Sequence, residues 1–225
     1  MVSKVIRAVI GIGVIAAFMA GCADVPSTGP TPPDPQSQMR FVNADPGLPN
    51  VTVSVDNAAR GTLAYQAGSS YGEYPAGSRK VSLSPGTAAD TARIAFTTDR
   101  RSTIFILPQV SGARDFFKVN ERFVYTAPGV ATRALVRVIN LSDVATGVGA
   151  GFLGPDTVGT SAALAFKGTT PYAEIEGGAY VLTLTAGGQT TPLITANINV
   201  AVNKRYTFAV VGTAAAAALV SLIDD

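Results

Sequence analysis

Leu63-Ala64-Tyr65, followed by Tyr71-Gly72-Glu73-Tyr74, Gly77, Val81 and Leu83, returns along the chain as Leu164-Ala165-Phe166, followed by Tyr172-Ala173-Glu174-Ile175, Gly178, Leu182 and Leu184. The two blocks stay 101 residues apart without a gap. Before them, Arg40-Phe41-Val42-Asn43 pairs with Arg137-Val138-Ile139-Asn140. After them, Thr103-Ile104-Phe105-Ile106-Leu107 pairs with Tyr206-Thr207-Phe208-Ala209-Val210. The offsets of these flanking matches differ slightly, as loop insertions produce. Three matches in one order argue for a duplicated unit.

The unit is built of strands. Val51, Val53 and Val55 alternate with Thr52 and Ser54, and Tyr180, Leu182 and Leu184 alternate with Val181 and Thr183. A period of two places one face inward and the other outward. Further strand candidates are 40–43, 78–83, 93–97, 103–107, 135–140, 193–199, 206–211 and 219–223, broken by turn residues at the spacing of a sandwich or barrel. The alanine run 214–218 is too short to hold a helix by itself and reads as extended or turn. The expected fold is therefore all-β, with two tandem immunoglobulin-like or transthyretin-like β-sandwich domains at 39–130 and 131–225. Their boundary falls at 126–133, where Ala127-Pro128-Gly129 interrupts the apolar pattern. Each half has the length of a seven-strand sandwich with its own core.

Composition removes much chemistry. The chain of 225 residues has no His, no Trp and one Cys. A Ser-His-Asp or Cys-His nucleophile system, an imidazole ligand, an internal disulfide and a cysteine zinc site are all excluded. Of the 17 basic residues, Lys4 and Arg7 lie in the N-terminal leader, which leaves as many basic side chains as the 15 acidic ones. A neutral body without a clustered positive excess is a poor match for nucleic acid.

The leader carries Lys4 and Arg7 and then an unbroken apolar and glycine run over 8–19. That run is too short to span a bilayer as a mature anchor and has the proportions of a secretory signal. Met19-Ala20-Gly21-Cys22 resembles the bacterial lipobox, Leu-(Ala/Ser)-(Gly/Ala)-Cys, with Met in place of Leu. The resemblance implies a signal peptide at 1–21, cleavage before Cys22, and lipidation of its thiol. Two or three acyl chains make a durable membrane anchor where one is marginal. Ala23, rather than Asp, directly after the cysteine implies the outer membrane of a Gram-negative envelope. Residues 22–38 follow as a tether with Pro26, Pro30, Pro32, Pro33 and Pro35. Proline disfavours helix and sheet, and at about 3.1 Å per residue such a spacer reaches roughly 50 Å. A proline-rich ligand for an SH3-like partner is the sharper and weaker reading of the same stretch.

The residues 40–46, Arg-Phe-Val-Asn-Ala-Asp-Pro, then 51–56 and then Tyr71 to Gly77, resemble the family catalogued as domain of unknown function 4397. Its pattern opens on an Arg-hydrophobic-x-(His/Asn) strand and an Ala-(Ser/Asp)-Pro turn. It continues with an alternating Val-Asp strand, a Tyr-x-x-x-Pro-x-Gly turn and a late Tyr-Thr-hydrophobic strand. The second copy keeps Arg137, Asn140, Tyr172, Gly178 and Tyr206-Thr207 but reads Leu141-Ser142-Asp143-Val144 at the turn. The resemblance covers about 39–223 and implies sandwiches on secreted or envelope proteins, with no established activity.

Candidate sites are few. Glu73 and Glu174 recur two residues after Tyr71 and Tyr172. They are read as turn carboxylates beside packed tyrosines, and the rival reading is a glycosidase-like pair. Asp45, Asp56 and Asn57 offer oxygen ligands for calcium but are also ordinary turn residues, without the Asp-x-Asp-x-Asp-Gly loop. Gly147-Val148-Gly149-Ala150-Gly151 lacks the Lys-Ser/Thr ending of a phosphate loop. Arg100-Arg101 and Lys204-Arg205 read as solvated hairpin tips. No catalytic, cofactor or metal residue is assigned, and Cys22 is the one modification site. The functional expectation is a lipid-anchored, non-enzymatic binding, adhesion or scaffolding module with an envelope protein or glycan partner. Its rivals are an envelope polysaccharide hydrolase acting through Glu73 or Glu174 and a passive carbohydrate binder.

Overall fold

In the computed structural model the described residues are 34–87, 90–98, 100–122, 132–144, 146–159 and 163–224. Cys22, the signal peptide and most of the tether lie outside them, as does most of the expected boundary at 126–133. Among the described residues no helix is long and apolar enough to cross a membrane. The first copy comprises β1 (Gln36–Asn43), β2 (Asn50–Val55), β3 (Ala58–Ala64), β4 (Gly72–Pro75), β5 (Gly77–Ser84), β6 (Thr91–Phe96), β7 (Arg100–Val110) and β8 (Ala113–Arg122). The second comprises β9 (Arg133–Ser142), β10 (Val148–Leu153), β11 (Thr157–Gly159), β12 (Ala173–Glu176), β13 (Gly178–Ala186), β14 (Pro192–Val200), β15 (Arg205–Thr213) and β16 (Ala216–Ile223).

The first copy forms two four-stranded sheets, β4-β1-β7-β8 and β3-β2-β5-β6. The second forms β12-β9-β15-β16 and β11-β10-β13-β14. Strand order and neighbours are the same in both, including the parallel pairs β1–β7 and β9–β15 within otherwise antiparallel sheets. The chain is thus all-β, two sandwiches in tandem. Each has eight strands rather than seven. Among the strands absent from the sequence candidates are the short β4 and β12, where only Tyr74 or Ile175 is buried and no period can show. The first strand also starts at Gln36, ahead of Met39, because Gln36 to Met39 pairs with Pro75 to Gly72 along β4. The last three residues expected in the tether are therefore strand.

Each sandwich has its own core. In the first, Met39, Phe41, Val51, Val53, Tyr74, Val81, Phe96, Ile104 and Ile106 meet between the sheets. In the second, Val136, Val138, Val148, Phe152, Ile175, Leu182, Leu184, Phe208 and Val210 do so. The aromatic rings pack edge-on, Tyr74 with Phe41 and Phe96, a geometry that favours the ring quadrupoles. Gly77 and Gly178, at φ of 115° and 153°, open β5 and β13 in a region that side chains rarely adopt.

A third core joins the copies. Val42, Ala44, Phe105, Leu107 and Val119 from the outer face of the first copy's β1, β7 and β8 sheet pack against Ile139, Leu141, Ala209, Val211, Val220 and Leu222 of the second. These central strands are covered on both faces. That is why 104–107 and 208–211 read as continuous apolar runs rather than alternations. The inner-face pairs Ile104/Ile106 and Phe208/Val210 also correct the late repeat match. Arg40 pairs with Thr103 and Arg137 with Thr207, so Thr103 corresponds to Thr207, not to Tyr206. The sequence match was one residue out of register, and such a slip exchanges the two faces of a strand.

Candidate functional site

The seam between the sandwiches holds a buried cluster of arginines and acids at one end and an open cleft at the other. The recurring Arg-x-x-Asn segments build both ends. Asn43 closes the end of β1: its side-chain amide donates to the Leu48 carbonyl at 2.7 Å, and its own carbonyl accepts from the Gln66 amide at 2.8 Å. Asn140 does the same with the Leu164 carbonyl at 2.8 Å and the Lys167 amide at 2.7 Å. Three residues earlier on the same strands, Arg40 and Arg137 point into the seam.

These two arginines exchange partners across the copies. Arg40 forms a buried ion pair with Asp224 of the second copy and donates to the Ile223 carbonyl at 2.7 Å. Arg137 pairs with Glu121 of the first copy at 2.5 Å. Asp224 and Glu121 hold matching places at the ends of β16 and β8. Each arginine also donates to the threonine beside it, Thr103 at 2.8 Å or Thr207 at 2.7 Å. Each lies 4.7 Å over a tyrosine ring, Tyr71 or Tyr172. Contacts in which each copy supplies the other's partner are the mark of a two-fold interface. Here both halves belong to one chain.

Electrostatics follow from this burial. Burial and the neighbouring Asp224 charge push the Glu121 carboxyl up, against the pull of Arg137. Its Oε2 is buried without a hydrogen bond. Burial pushes the Tyr71 phenol up to about 12. Burial, with the Asp224 charge, raises Tyr172 further, and its hydroxyl donates to Asp224 at 2.8 Å. Both phenols therefore stay neutral. Arg205 is buried and donates to the Asp224 carbonyl at 2.8 Å, while Arg101 donates to Gln38 at 2.9 Å. Of the two basic pairs only Arg100 and Lys204 are exposed, and Arg100 opens β7 opposite Arg122. The sequence reading of Arg101 and Arg205 is corrected by the same seam.

The sequence candidates scatter. Glu73 and Glu174 are exposed on the short strands β4 and β12, Glu73 meeting Gln38 at 3.4 Å. The carboxylates drawn into the buried cluster are Glu121 and Asp224 instead. Asp45 pairs with Arg114, which also holds Asp90 at 2.8 Å. Burial opposes ionisation of Asp90, but bonds from the Thr87 amide, Arg114 and Gln109 outweigh it and hold the carboxyl down at about 2. Asp56 and Asn57 form the β2–β3 turn with φ of 50° and 68°, and Asp56 accepts from the Lys80 amide at 3.0 Å. Among the described residues no group of acidic, His or Cys side chains is arranged to hold a metal ion. The glycine-rich segment 147–151 is strand from Val148 on.

At the opposite end from the arginines the seam opens into a cleft of about 710 Å³. Leu107 and Pro108 of the first copy and Leu141, Val144 and Phe166 of the second make its apolar walls. Three carboxylates, Asp45, Asp115 and Asp143, lie along it. Sequence reading missed the cleft because its walls come from six separated stretches. The one available signal was Phe166, an aromatic directly before Lys167-Gly168-Thr169-Thr170.

The model of the family described as Domain of unknown function (DUF4397) matches residues 37–150 and again 134–225. No curated protein matches the chain. Among solved structures, the Bacillus anthracis TIE protein is 10% identical with a TM-score of 0.27, over 78% of this chain and 33% of that one. A leucine-rich repeat protein from Bacteroides thetaiotaomicron is 10% identical with a TM-score of 0.24, over 76% of this chain and 25% of that one. The chain spans a third or less of the length of these two structures.

Proposed function

The chain belongs to the family described as Domain of unknown function (DUF4397) and carries its domain twice, and on that premise we propose a lipid-anchored, non-enzymatic binding or scaffolding module of the bacterial cell envelope. The cleft in the seam is the observation that carries the reading. It is largely apolar, of the size that small ligands or side-chain clusters occupy, and two sandwiches sharing one core hold its walls. The anchor is supported by the apolar run before Met19-Ala20-Gly21-Cys22, and the stand-off from the membrane by the prolines that follow. Ala23 after the cysteine favours the outer membrane.

Metabolic labelling with a fatty-acid analogue tests the anchor. The wild-type chain incorporates label and fractionates with membranes, whereas Cys22→Ala does neither. Equal labelling of the two removes the anchor.

A further inference from the structure

Tyr65 and Phe166 hold equivalent places, each directly before a residue of positive φ, Gln66 at 68° and Lys167 at 62°. Tyr65 turns into the seam. It packs against the shared apolar core, and its hydroxyl oxygen lies 3.1 Å from where a Cβ on Gly212 of the other copy would stand. Small residues make that room: Gly212 on β15 and Ala218 on β16. The residues in the corresponding places facing Phe166 are Pro108 and Asp115. A pyrrolidine ring and a carboxylate occupy space that glycine and alanine leave free. Phe166 accordingly stays out, 46% exposed, on the wall of the cleft. Lys167 holds this arrangement, pairing with Asp115 at 2.6 Å and lying over the Phe117 and Phe166 rings. One flank of the seam is thus filled by the chain's own aromatic ring and the other is left open.

The charges along the opening are unequal. Asp45 is buried and pairs with Arg114, which it shares with Asp90, while Asp115 pairs with Lys167. Asp143 is exposed, accepts the Ala214 amide at 2.9 Å, and has no ion-pair partner among the described residues. An apolar recess beside an exposed carboxylate without an ion pair complements an apolar group next to one positive charge. We propose that the cleft receives an aromatic side chain of a partner protein whose neighbouring residue is Lys or Arg, the ring entering against Leu107, Leu141 and Phe166 and the cation meeting Asp143. Tyr65 is the internal precedent for a ring held between the two sheets. The assignment rests on the reading of the chain as a binding module and names what the module binds.

The test is titration of the full chain with the peptide acetyl-Gly-Phe-Lys-Gly-amide, followed by NMR chemical shifts. The Phe-Lys peptide is expected to shift resonances of Phe166 and Leu141. Replacement of its Phe by Ala weakens binding about tenfold or more, as loss of a buried ring implies. Ala163→Trp, at an exposed position on the rim, blocks the cleft and abolishes the shifts. Asp143→Lys, also exposed, weakens the Phe-Lys peptide while leaving a Phe-Glu peptide unchanged or tighter. Binding that ignores the ring, survives both variants, or is missing for every peptide overturns the assignment. In that event fatty-acid labelling of Cys22 still decides the anchored-module reading, since it does not involve the cleft.

Discussion

Arg40 and Arg137 occupy one place in two copies of a sequence, and each finds its carboxylate in the opposite sandwich. The pairs are buried, so desolvation cancels much of their attraction, and their removal one partner at a time is the informative perturbation. Arg137→Ala leaves Glu121 buried and unpaired and is expected to cost about 3–5 kcal/mol in urea denaturation. Arg137→Met together with Glu121→Leu is expected to cost far less, because both charges leave the seam. A cost for the single variant no greater than for the double would show that the pair does not hold the seam. None of this pairing was legible in the chain. The arginines and the tyrosines near them were visible as repeated letters, but the acids sit in the other copy, Asp224 at a separation of 184 from Arg40 and Glu121 at 16 from Arg137. A contact across two domains leaves no periodic trace. Glu121 and Asp224 carried only a faint signal, an acid at the same point of each copy's last strand.

Strands were read best where one face is solvated. β2 and β13 alternate in sequence and alternate in burial, and the structure places strands there. The 214–218 stretch became the turn into β16 and its start. β8 escaped because Phe116 packs into its own sandwich while Phe117 packs toward the seam, and a strand buried on both faces shows no alternation. At the other extreme, β11 is three residues long. The β2–β3 hairpin was foreseen only as turn residues. Its Asp56-Asn57 corner needs two consecutive positive φ values, which match the twist of a tight hairpin. Asn57→Val is expected to destabilise by about 1–2 kcal/mol, since a β-branched side chain resists that conformation. Asn57→Gly should be neutral or slightly stabilising in thermal melts. If both variants melt with the wild type, the turn does not set the hairpin.

At the scale of the molecule, the two sandwiches are joined by apolar packing as deeply buried as their own interiors. Phe105, Ile139, Ala209 and Val211 are fully buried, and the cover on this face comes from the opposite sandwich. The folded halves therefore depend on one another. Calorimetry is expected to show one cooperative transition for the whole body. Phe105→Ala should lower it as a unit, by about 3–5 kcal/mol for loss of a buried ring and the cavity left behind. Two separate transitions, with only the first half affected by Phe105→Ala, would show that the seam couples nothing.

Local chemistry and period determined, from sequence alone, that the chain is built of strands, that one unit occurs twice, and which residues the copies share; these depend on neighbours along the chain and on self-similarity. Tertiary structure decided the register of the late strand, the second buried face of the central sheets, the exchange of ion pairs and the cleft left open beside Phe166. Each of those depends on which surface meets which. Two copies of one unit meeting face to face acquire partners, a shared core and a gap that neither copy encodes in isolation.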